Sequence, residues 1–87
     1  MRYCVRTPLP WRIVDGQLFA LTSDGMLHVV EEASGVFLFE LLVAGPRSRD
    51  ELLSELLAEF NVGDQQAASE LDCFLAELVA KGVLINK

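Results

Sequence analysis

Two Asp-Gly pairs, Asp15-Gly16 and Asp24-Gly25, punctuate the first third of the chain between three β-prone runs. Asp-Gly between apolar runs is among the strongest local signals for a tight hairpin. The runs are Trp11-Arg12-Ile13-Val14, Gln17-Leu18-Phe19-Ala20-Leu21 and Met26-Leu27-His28-Val29-Val30. The first turn leaves only two residues between its strands. Thr22-Ser23-Asp24-Gly25 forms the second turn cluster. Three strands joined in this way must form an antiparallel meander with exposed edges. Residues 2–10, with Pro8 and Pro10, read as irregular.

After Val30 the period changes from two to about three and a half. Glu31-Glu32 opens a helix, since acids favour the positive end of the helix dipole. Val36, Phe37, Phe39, Leu41, Leu42 and Val43 continue it, with Ser34 and Gly35 weakening its first half, and Gly45-Pro46 stops it. Ser48-Arg49-Asp50-Glu51 has capping-box spacing. It starts a second helix running to about Phe60, with Leu52, Leu53, Leu56 and Leu57 on its apolar side. Asp64 is the expected cap of a third helix, whose stripe is Ala67, Leu71, Phe74, Leu75 and Leu78. Gly82 is a natural stop, and Val83-Leu84-Ile85 a short terminal strand or packed tail. The expected fold class is α+β. A three-stranded antiparallel sheet is followed by three helices (βββααα), in the arrangement of a winged helix-turn-helix. All 87 residues are expected to form a single domain.

Charge narrows the function. The net charge is −6, and residues 48–87 hold three cations against eight anions. An acidic chain is repelled by phosphate backbones and anionic membranes. With 52% hydrophobic residues the chain has core material that a disordered acidic tail lacks. It shows no apolar run of membrane-spanning length and no signal-peptide pattern. Cys4 and Cys73 lie far apart and form no redox or metal motif. The expected setting is the cytoplasm.

Chemistry is sparse. His28 is the single histidine, with no metal-ligand type directly beside it on its strand, whereas zinc wants three or four ligands at closed spacings. No nucleophile–base pair stands out. Cys73, flanked a turn away by Glu70 and Glu77, has no cation to stabilise a thiolate, and reads as a packed residue at the core edge. Trp11 reads as an anchor of the first hairpin. The expectation is a binding protein, with no catalytic residues, no metal and no cofactor.

The run from Leu27 to Leu42 resembles the PqqD family, in which a strand with a His/Tyr-Val-Leu-like ending leads into a helix closing on Glu-Leu-Leu. Ser48-Arg49-Asp50-Glu51-Leu52-Leu53 is similar to that family's Thr/Ser-x-x-Glu-Leu helix start. Glu70-Leu71-Asp72-Cys73-Phe74-Leu75-Ala76-Glu77-Leu78, with Lys81-Gly82-Val83-Leu84, is similar to its ending. The resemblance covers about residues 11–85. Glu31, Phe39 and Glu70 depart from its usual Asn, Trp and Asp.

The resemblance implies a peptide-recognition element of ribosomal natural-product pathways. Such a protein holds the leader segment of a precursor peptide and presents the rest to a modifying enzyme: a radical S-adenosylmethionine enzyme, a cyclase or a leader peptidase. It implies binding by strand addition, in which backbone groups supply affinity and side-chain pockets supply specificity. The implied peptide site is Met26, Leu27, His28, Val29 and Val30 on the third strand, with Glu70, Cys73, Phe74, Glu77 and Lys81 on the third helix. Glu70, Glu77 and Lys81 flank the helix's apolar stripe, either as a groove wall or as an ordinary solvated rim.

Two alternatives stand beside this reading. A winged-helix regulator would place the third helix in a major groove. That helix offers Gln65, Gln66 and Lys81 against Asp64, Glu70, Asp72 and Glu77, a poor surface for phosphates. A structural partner subunit, or a homodimer through the same sheet edge, is the other.

Overall fold

The computed structural model describes residues 2–22 and 24–86. The element order is β1 (Tyr3–Val5), β2 (Trp11–Val14), β3 (Gln17–Leu21), β4 (Leu27–Val30), α1 (Ala33–Ala44), α2 (Arg49–Glu59), α3 (Asp64–Ala80) and β5 (Leu84–Asn86). The architecture is α+β, with the antiparallel sheet β2-β3-β4 followed by three helices.

The meander forms where its turn residues require it. Asp15 and Gly16 both take positive φ, 52° and 77°, as a two-residue hairpin turn demands, and the register closes on Val14 opposite Gln17. In the second turn the Thr22 hydroxyl donates to the Asp24 carboxylate. This bond and the Met26 N–H hold Asp24 below the usual carboxylate range. Ser23 of that turn lies outside the described residues. Met26, expected in the third strand, belongs to the turn. Its N–H donates to Thr22 Oγ1 at 3.1 Å, and its carbonyl accepts from the Thr22 N–H at 2.7 Å.

Residues 2–10 are not wholly irregular. Tyr3–Val5 forms β1, which pairs antiparallel with β5, Tyr3 opposite Asn86 and Val5 opposite Leu84. Tyr3 also exchanges backbone hydrogen bonds with Arg47 at 2.7 and 3.0 Å. Arg6 closes the other end: its N–H donates to the Val83 carbonyl at 2.9 Å, and its Nε–H to that of Gly82. The fold therefore has a second, two-stranded sheet joining the two ends of the described chain.

Helix boundaries follow their caps. Ser48 and Glu51 form the reciprocal capping box: the Glu51 N–H donates to Ser48 Oγ at 3.1 Å, and the Ser48 N–H to Glu51 Oε1 at 2.9 Å. The latter bond leads in lowering the Glu51 pKa. Ser48→Ala should cost about 1 kcal/mol and lower Tm by roughly 4–8 °C, read by thermal denaturation. Gly63, rather than Asp64, is the N-cap of α3. Its carbonyl accepts the Ala67 N–H at 2.9 Å, so Asp64 becomes the first helical residue, where its charge meets the dipole. At the far end Val83 donates to Leu78 O and Gly82 to Val79 O. With Gly82 at φ 76°, this is a Schellman stop.

The core lies between the helices and one face of the meander. Leu18, Ala20 and Val30 point inward from the sheet. Val36, Leu38, Phe39 and Leu42 of α1, Leu52 and Leu56 of α2, and Ala67, Leu71, Leu75 and Leu78 of α3 meet them. Trp11 packs edge-on against Phe39, ring centroids 5.3 Å apart, while keeping a partly exposed face. Arg49 forks onto Asp72 with bonds of 2.6 and 3.1 Å, tying the start of α2 to α3. That pairing lowers the Asp72 pKa and raises that of Arg49.

Candidate functional site: an open strand edge beside a groove

Among the described residues β4 pairs on one side only, with β3. Which backbone groups face the unpaired side follows from two hydrogen bonds. The Thr22 N–H donates across to Met26 O, whereas the Leu21 N–H donates the other way, to Pro10 O at 3.0 Å. Thr22 and Met26 are thus a hydrogen-bonded pair and Leu21 and Leu27 are not. Pairs alternate along an antiparallel ladder. His28 opposite Ala20 and Val30 opposite Leu18 therefore bond to β3. The N–H and C=O groups of Leu27 and Val29 face outward, away from β3.

Side chains alternate in the same rhythm. Leu27 and Val29 are exposed on the outer face of the sheet, and Val30 is buried. His28 is half-buried on the inner face, with Nε2 3.5 Å from Glu77 Oε1 on α3. Further along, a methyl at Gly35 would lie 2.6 Å from Val30 Cγ1 and 3.4 Å from the Phe74 ring. At the opposite end, the charge of Lys81 reaches Asp24 in the β3–β4 turn. The His28–Glu77 pair and the approach of Val30 and Phe74 to Gly35 order α3 antiparallel to β4.

A groove of about 290 Å³ opens between the three helices; no strand residue lines it, and it comes near β4 through Gly35, next to Val30, and Glu77, next to His28. Its apolar floor is Gly35 and Leu38 of α1, Leu56 of α2, and Leu71 and Phe74 of α3. Glu32, Glu70 and Glu77, all exposed carboxylates, stand around it with Ser34, Ser69 and Cys73. A second hollow sharing Ser34, Leu56 and Glu70 continues it toward Phe60, Val62 and Gln66.

The structure thus brings together four of the expected helix residues, Glu70, Cys73, Phe74 and Glu77. Lys81 does not line the groove. It lies one turn past Glu77, at the C-cap of α3. Of the strand residues, Leu27 and Val29 offer backbone, His28 offers its imidazole through Glu77, and Val30 belongs to the core. Cys73 is exposed rather than packed, because its side of α3 borders the groove instead of another element. Glu32, Ser34, Gly35, Leu38, Leu56 and Ser69 were not among the expected residues. Gly35 carried the one available signal, a glycine inside an expected helix; the structure shows that a side chain there has no room.

Among the described residues no helix is long and apolar enough to cross a membrane. No curated protein matches the chain. One similar solved structure is described as TbiB1 in complex with the TbiA(beta) leader peptide. It has a TM-score of 0.83 and 21% identity, and the match covers 97% of this chain and 96% of that one. At that identity the likeness speaks for the fold, over nearly the full length. The family described as coenzyme PQQ synthesis protein D (PqqD) matches residues 29–84. That span holds Val29 and Val30 of β4, all three helices and every residue of the groove, so the chain belongs to the PqqD family.

Proposed function

We propose that this chain binds the leader segment of a ribosomally synthesised precursor peptide and presents the remainder to a separate peptide-modifying enzyme. The leader adds as a fourth strand on the open edge of β4, with side chains reaching the groove against α3. The observation that carries this reading is the outward-facing backbone of Leu27 and Val29 beside an apolar-floored groove. An edge of this kind attracts an extended peptide. The family membership and the leader peptide in the similar structure support it. The binding residues are then Leu27 and Val29 through their backbones, with His28, Glu70, Cys73, Phe74 and Glu77 through their side chains. Met26 and Lys81 mark the end of the site, by the β3–β4 turn. The chain acts by holding rather than by catalysis, in the cytoplasm where the precursor is made. A radical S-adenosylmethionine enzyme, a cyclase or a leader peptidase would be the receiving partner.

The test is titration of the chain with synthetic leaders of precursor peptides encoded beside its gene. A Kd in the nanomolar to micromolar range is expected, about −8 to −12 kcal/mol. Amide exchange should slow at Leu27 and Val29 on binding. Absence of binding by every such leader, or binding without protection at those amides, would count against the reading.

A further inference from the structure

We infer that the groove selects leaders carrying a lysine or arginine beside an apolar residue, and that Glu32, Glu70 and Glu77 are the selecting groups. This rests on the strand-addition reading and adds a chemical class to it. Three carboxylates rim one apolar floor. Among the described residues neither Glu32 nor Glu70 forms an ion pair, and Glu77 meets only the His28 imidazole, at 3.5 Å. Leu38, Leu56 and Phe74 offer hydrocarbon below them. Long cationic side chains fit such a place: the methylene stem lies on apolar surface while the charged head stays at the wet rim. An anionic side chain would meet three like charges at short range, which discriminates as strongly as the attraction does.

The position is also within reach of a bound strand. α3 runs along β4, and Phe74 and Glu77 stand opposite Val30 and His28. A peptide paired with the Leu27 and Val29 backbone alternates its side chains. One set faces α3, and its members near Val30 enter the groove. The backbone contacts accept any sequence, so the groove is where this chain can tell one leader from another.

The experiment is selection of phage-displayed random peptides against the full chain and against the Glu32→Gln/Glu70→Gln/Glu77→Gln variant. The single variants serve if the triple one does not fold by circular dichroism. Peptides enriched on the parent should carry Lys or Arg within a residue or two of an apolar side chain. A synthetic copy should bind the parent roughly tenfold more tightly than its Lys→Gln or Arg→Gln counterpart. That ratio should fall toward one in the carboxamide variants. A seated peptide should also slow alkylation of the exposed Cys73 thiol, which borders the groove. Enriched peptides without a basic position, an unchanged ratio in the variants, or unaltered Cys73 alkylation overturn the inference while leaving strand addition standing. No enrichment on the parent chain overturns strand addition and this inference with it.

Discussion

Val29→Pro should leave the chain folded and weaken leader binding by at least tenfold, about 1.4 kcal/mol or more. His28→Pro, one residue away, should damage the fold itself. The difference comes from the ladder. The Val29 N–H faces the open side, where no strand among the described residues uses it, and proline is tolerated on edge strands when its missing donor faces solvent. The His28 N–H lies in a hydrogen-bonded pair with Ala20, so proline there removes a sheet bond and forces its ring toward β3. Val29→Ala, which spares the backbone, should change affinity far less than Val29→Pro. Circular dichroism and thermal melts report folding, and fluorescence anisotropy of a labelled leader reports binding. A folded Val29→Pro chain that binds as well as the parent would remove strand addition from consideration.

Phe39→Ala should have the largest effect on stability, about 3–5 kcal/mol. Phe39 is fully buried, and its ring meets the edge of Trp11 from β2. It is therefore a side chain through which α1 holds the first hairpin. For a chain of this length, total stability is only roughly 4–13 kcal/mol, so the variant loses a large share of it. Urea denaturation followed by Trp11, the single tryptophan, reads both the midpoint and the loosening of this contact. Leu27→Ala, an equally apolar change on an exposed side chain, should leave the midpoint nearly unmoved. A loss below about 1.5 kcal/mol for Phe39→Ala would mean that the core collapses around the missing ring.

What could be read from residues alone was whatever is signalled locally. Asp15-Gly16 specifies its own turn, Ser48 and Glu51 cap one helix, and Gly82 ends another, each within a few residues. β1 escapes because Tyr3-Cys4-Val5 is short, is followed by prolines, and finds its partner at the other end of the chain. The displaced cap of α3 is a smaller case of competition: Gly63 and Asp64 both suit an N-cap, and the chain uses the first. The α3 wall of the groove was legible from helical spacing, which puts Glu70 and Glu77 on one flank. Its α1 and α2 walls were not, because Glu32, Gly35 and Leu56 become neighbours of Phe74 only through the crossing of three helices. Gly35 is the clearest example. In sequence it only weakens a helix, and in the fold it makes room for Val30. That β4 is an edge was suggested by resemblance, since an edge strand and a covered one can have the same composition.

The pairing of β1 with β5 bears on the order in which the molecule assembles. β2 and β3 close across two residues and β3 and β4 across five, whereas β1 and β5 enclose residues 6–83. Closing that long loop costs roughly 2 kcal/mol more than closing the five-residue one. The meander and its helices can therefore gather first, and the clasp at the ends comes late, once α3 has delivered Val83 and Leu84 to the core. The clasp and the meander are separate sheets with no hydrogen-bonded strand in common. Late closure or transient opening of the clasp thus breaks no backbone hydrogen bond of the β3–β4 ladder, and the pairing that leaves the β4 edge open does not wait for the last strands to meet.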